Sequence, residues 1–122
     1  MTEGDWEVYR RGDKVVLIIR GHYSHENVVG SANRIMELFG HLGRGEFVAD
    51  FSEATGFDKE GRQHWQGRLR ELASHVHTVS IVNGPPLMRM AAAAVCLYAG
   101  IKMRTHDSLD AAFAPAASSR AG

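Results

Sequence analysis

The sequence predicts an α/β fold: a mainly parallel central sheet of about five strands with about four helices, in the order β-β-α-β-α-β-α-β-α. Three observations carry that prediction. Val15–Ile19 is apolar on five successive residues, Phe47, Val48, Ala49 and Phe51 form a second short apolar run, and Val76–Val82 is a third stretch of strand length rich in valine and isoleucine. That pattern belongs to strands buried on both faces of a sheet. The stretches between them repeat apolar residues at helical spacing, and Gly and Pro mark the junctions.

Trp6–Arg10 alternates as an edge strand, and Arg11-Gly12-Asp13 is turn material before the central strand Lys14–Arg20. The two read as a hairpin, whose first strand is the antiparallel member. Ser24 is a good N-cap with Glu26 in the following turn, and Val28, Ala32, Ile35, Phe39 and Leu42 form one helix face that Gly43 and Gly45 end. The next strand ends at Asp50, and Glu53–Phe57 reads as a turn-rich connection to Asp58, the expected N-cap of the second helix. That helix is apolar at Trp65, Leu69, Leu72 and Val76, and charged at Lys59, Arg62, Arg68 and Arg70. Val76–Val82 is a strand closed by Asn83-Gly84-Pro85-Pro86, and proline suits the first turn of the third helix, Leu87–Ala99. This helix is apolar nearly all round, so it is expected against the sheet and under a neighbour. Ile101–Thr105 is the last strand, and Asp107–Phe113 the last short helix.

The 122 residues read as one domain over 1–113 with a flexible tail over 114–122. Fourteen basic residues balance fourteen acidic ones, so no net field selects nucleic acid or an anionic membrane. No apolar run approaches the ~20 residues of a membrane span, and the first residues lack the apolar core of a signal peptide. The single cysteine, Cys96, lies among apolar neighbours and reads as a buried reduced thiol. Together these features point to a cytoplasmic protein.

The element order and the segment Asp50-Phe-Ser-Glu-Ala-Thr-Gly-Phe-Asp58 resemble the STAS superfamily, which includes anti-sigma factor antagonists. Its hallmark is a buried strand ending Asp-Leu-Ser and an Asp-Ser-Ser-Gly at a helix start. Asp50, Phe51 and Ser52 stand at the first element; Asp58 and Gly61 match the Asp and Gly of the second. Leu87-Met-Arg-Met90, Tyr98-Ala-Gly-Ile101 and Asp107-Ser-Leu-Asp-Ala-Ala resemble the SpoIIAA-like branch, also called STAS/SEC14 domain proteins. The resemblance covers roughly residues 6–113. It implies a regulatory module that binds a partner protein. In the antagonists the Ser after the helix-start Asp is phosphorylated; here Lys59 stands there, so the usual phospho-switch does not carry over.

On this reading the partner-binding residues are His22, Tyr23, Ser24, Asp50, Ser52, Asp58, Lys59, Arg62, Asn83 and Gly84, gathered at the carboxyl edge of the sheet. No cofactor and no metal are expected, and no catalytic constellation is complete. Ser24, Ser52 and Ser80 lack a Gly-x-Ser-x-Gly setting, and Cys96 sits mid-helix. His22, His25 and Asp50 are the one set from which a metal or acid–base site could be built, although two histidines beside a capping serine more often form a plain polar loop. Asn83–Pro86 is read as a capped turn rather than a phosphate loop. The alternative function is binding of a small apolar or lipid-like ligand between sheet and helices. It is suggested by Met36, Met88, Met90 and Met103 and calls for a pocket of ~300 Å³ or more. The edge strand bearing Trp6, Val8 and Tyr9 also leaves room for a homodimer.

Overall fold

The computed structural model describes residues 4–114. Its elements are β1 (Asp5–Arg11), β2 (Lys14–Tyr23), α1 (His25–Leu42), β3 (Gly45–Phe57), α2 (Lys59–Glu71), β4 (Val76–Val82), α3 (Pro86–Ala99), β5 (Lys102–His106) and α4 (Leu109–Phe113). A single 3-10 turn, Leu72–Ser74, follows α2. The order is the expected one. The expected tail falls almost wholly outside the described residues.

The strands lie in sequence order, β1-β2-β3-β4-β5. β1 and β2 form an antiparallel hairpin, and β2 through β5 run parallel. Three successive right-handed crossovers stepping in one direction place α1, α2 and α3 on the same face. Val15, Leu17, Ile19, Phe47, Ala49, Phe51, Val79 and Ile81 point toward them and form the main core. The alternate residues Val16, Val48 and Val82 face the other way and meet Ala112 of α4. The consecutive apolar runs thus record a sheet packed on both sides. Trp6 and Val8 of β1 pack on the main core, while Tyr9 joins the second cluster. What β1 leaves open is therefore its backbone edge.

Two expectations are corrected. β3 does not stop at Asp50; it runs on to Phe57. Its pairing with β4 ends at Asp50↔Val82, and from Glu53 to Phe57 it pairs with β2 alone across two one-residue bulges. The bulges fall at Phe51-Ser52 and at Thr55, so the chain bends without leaving the ladder. The second correction concerns α3. Met88, Val95 and Cys96 are buried, but Leu87, Met90, Leu97 and Tyr98 are exposed, Leu97 by 83%. Arg70 of α2 reaches that face at Tyr98, donating to the phenol oxygen at 2.9 Å, but Leu87, Met90 and Leu97 stay exposed.

Candidate functional site

Residue spacing along β3 splits the expected edge into two stations. The first lies where β3 leaves β4. There Asp50 accepts hydrogen bonds at one carboxylate oxygen from the Ser52 amide (2.9 Å) and the Ser52 hydroxyl (2.6 Å), which holds the bulge. Asn83 and Gly84, at the end of β4, pack beside it with positive φ of 56° and 100°. A side chain at Gly84 would collide with Phe51, so glycine is required there by close approach as well as by φ. Asn83 donates from its side chain to the Asp107 carbonyl at 3.2 Å.

The second station is the tip of the β2–β3 ribbon, where His22 pairs with Gly56, four residues of β2 and roughly 13 Å beyond Ile18 opposite Asp50. Asp58 occupies the N-cap position of α2 but does not cap it with its side chain. Its carboxylate instead pairs with His22 Nε2 at 2.6 Å and accepts the first amide of α1, from His25, at 2.9 Å. The hydrogen bond from His22 first, and the His25 amide second, hold the Asp58 carboxyl below its ordinary value of 3.8. Ser24 caps α1 by accepting from the Asn27 amide. Lys59 projects beside this cluster and is exposed. One carboxylate thus ties β2, α1 and the start of α2 together.

Beneath the tip lies a buried polar network. Tyr23 is 5% exposed; its hydroxyl is 2.6 Å from Ser31 Oγ and accepts from Trp65 Nε1 at 2.9 Å. Ser31 Oγ donates in turn to the Asn27 carbonyl. Burial pushes the Tyr23 phenol up to about 12, so it stays neutral. Tyr23 therefore belongs to the core, not to a docking face. Strand alternation explains the miss: a tyrosine next to an exposed histidine on a strand points inward.

Gly61 lets α2 approach α1, since a Cβ there would stand 2.8 Å from a Val28 methyl. Between α2, α3 and the sheet the structure holds a half-open cavity of about 90 Å³ with an almost wholly apolar lining. Leu17, Phe47, Phe51, Trp65, Met88 and Cys96 contribute walls. Trp65 stacks on Phe47 at 5.4 Å. Burial raises the Cys96 thiol to about 11, so it is protonated near neutrality, as its apolar sequence context suggests. The enclosed space is smaller than the pocket expected from sequence. It exists because α3 presents Ala91 and Ala92 where larger residues would fill it.

His22, His25 and Asp50 are not assembled into one site. His22 pairs with Asp58, whereas Asp50 sits opposite Ile18, four residues back along β2. Among the described residues no three His, Cys, Asp or Glu side chains converge on a metal position. His64, which sequence reading passed over, stacks edge-on against His25 at 5.8 Å. Desolvation, then Arg68 and His25, keep its ring below the ordinary 6.5. No helix of the described residues is long and apolar enough to cross a membrane.

Sheet order, the one-sided trio of helices and the helix start after β3 define the STAS, SpoIIAA-like fold. The chain is similar in structure to the anti-sigma factor antagonist SpoIIAA in its unphosphorylated form, with a TM-score of 0.69, 18% identity, and coverage of 95% of this chain and 96% of that one. An uncharacterized protein of the DUF3478 family with a SpoIIAA-like fold, from Shewanella loihica PV-4, gives 0.69 at 12% identity over 92% and 95% of the two chains. The Bacillus cell fate determinant SpoIIAA in its phosphorylated form gives 0.65 at 20% identity over 88% and 96%. At these identities the likeness is one of fold. No family's sequence profile matches the chain, and no curated protein matches it in sequence.

Proposed function

We propose that this protein is a non-catalytic STAS-type regulatory module that docks on a partner protein through the ribbon tip and the start of α2. The observation that carries the reading is the tip itself, where His22, Asp58 and the α1 amide fix an exposed surface around Lys59 on a STAS fold. Its likeness to an anti-sigma factor antagonist supports the class of function. The contact residues are His22, Ser24, Asp58 and Lys59. Asp50, Ser52, Asn83 and Gly84 form a separate station roughly 13 Å away, set by four residues of β2. Lys59 suits a partner surface carrying carboxylates, and it replaces the phospho-switch by a fixed positive charge. Arg62 is a poor reporter of docking because its stem lines the cavity.

A photo-crosslinking residue placed at position 59 in cells tests this, with position 102 on β5 as the control. A specific adduct from 59 and none from 102 is the expected result. Equal adducts, or none from 59, would remove the tip as the interface. Cytoplasmic location follows from the same reading and is checked by fractionation in that experiment.

A second reading is favoured by the cavity: uptake of a small apolar group between sheet and helices. An engineered apolar cavity of about 150 Å³ takes up benzene, so a space of this order holds a small group or a chain end, not a whole lipid.

A further inference from the structure

We infer that the cavity between α2 and α3 receives the end of a short alkyl chain whose anionic head is held by Arg62; this rests on the second reading above. The half-open cavity, about 90 Å³ against about 150 Å³ for an engineered cavity that takes up benzene, suits a few methylene groups. The lining is too apolar to hold ordered water. It therefore favours hydrocarbon.

The polar groups of the wall residues decide what the rest of the ligand is. Tyr23 and Trp65 bond to each other, and the tyrosine also meets Ser31, so neither is open to a ligand. The Cys96 thiol is protonated and a weak donor. That leaves Arg62, which is half-buried and lays its aliphatic stem along the wall. Since the lining is almost wholly apolar, its guanidinium is not part of the wall and is left to reach the mouth. It makes no ion pair among the described residues. Arg62 also lies in the first turn of α2 beside Lys59, where the helix dipole favours an anion. Asp58 and Glu60 are nearby, but the Asp58 carboxylate is engaged by His22 and the α1 amide. A guanidinium above an apolar well matches a carboxylate- or phosphate-headed alkyl chain.

The test is calorimetry and Trp65 fluorescence, in a Trp6→Phe background, with octanoate, octyl phosphate, 1-octanol and octyltrimethylammonium. Octanoate or octyl phosphate should bind and perturb Trp65, and whichever binds more tightly identifies the head group. Arg62→Gln should weaken the anionic probes about tenfold while leaving octanol within about twofold, the difference one desolvated charge-assisted hydrogen bond makes. Ala92→Leu, which fills the cavity, should abolish uptake of every probe and keep the fold, read as an undiminished unfolding midpoint. Equal binding of anionic, neutral and cationic probes, insensitive to Arg62→Gln, would overturn the head-group assignment alone. Failure of all four probes would remove the cavity reading itself.

Discussion

Helices α2 and α3 lie side by side over one cavity, yet they show solvent opposite chemistry. α2 turns Gly61 toward α1 and Trp65 and Leu69 inward, leaving Lys59, Glu60, Arg70 and Glu71 outside. α3 buries Met88, Val95 and Cys96 and leaves Leu87, Met90, Leu97 and Tyr98 exposed. The two also fill space differently. α2 drives an indole into the core, and α3 meets it with alanines, so a cavity remains. α2 is the structural wall and the charged face; α3 is the permissive one.

The sharpest way to break this comparison is to remove the wall. Trp65→Ala should cost about 3 kcal/mol, the low end for a large aromatic because the indole is only half-buried, seen as a lower urea midpoint. A loss below about 1 kcal/mol would mean that α2 does not anchor the core. Tyr23→Phe comes next. It strands the Trp65 N–H, while Ser31 Oγ keeps its bond to the Asn27 carbonyl, for about 1–3 kcal/mol by the same measurement. Ala92→Leu acts from the other side of the cavity and should add about 1 kcal/mol if the void is real. By contrast, Leu97→Ser on the exposed face should stay within about 0.5 kcal/mol. A loss above 2 kcal/mol, with concentration dependence, would show that a second copy covers α3.

The smallest effects are electrostatic, and their signs are fixed by the directions of the shifts. Asp58 titrates below 3.8 in the fold, so its contribution is present above that pH and fades as pH falls through the folded value. His64 titrates below 6.5, so acidification through 6.5 favours the unfolded chain, which takes up the proton first. Stability should therefore decline in two steps on acidification. Asp58→Asn should remove the lower step and His64→Gln the upper, measured as urea midpoint against pH. A single step that both substitutions leave in place would contradict the assignment.

Most of the architecture was legible in the sequence because doubly buried strands and one-sided helices leave distinct periods. The runs Val15–Ile19 and Val76–Val82 and the Val28–Phe39 stripe land where those periods place them. Three features were hidden. The bulges after Asp50 insert residues that break the period of two, so a long strand read as a turn. The exposure of α3 depends on a neighbour being absent, which no local pattern records. Tyr23 and Asp58 took roles set by partners remote in sequence, Trp65 and His22 respectively. Of the expected docking set, His22, Ser24, Asp58 and Lys59 do come together, and Asp50, Ser52, Asn83 and Gly84 gather separately.

The most direct test of the docking account uses the purified partner crosslinked from position 59. Its affinity is compared for the wild-type chain, Lys59→Glu and Lys102→Glu, the last lying at the start of β5, at the opposite end of the sheet. The account predicts about a tenfold loss for Lys59→Glu and less than about twofold for Lys102→Glu, with unfolding midpoints unchanged. Equal losses, or none for Lys59→Glu, would contradict it.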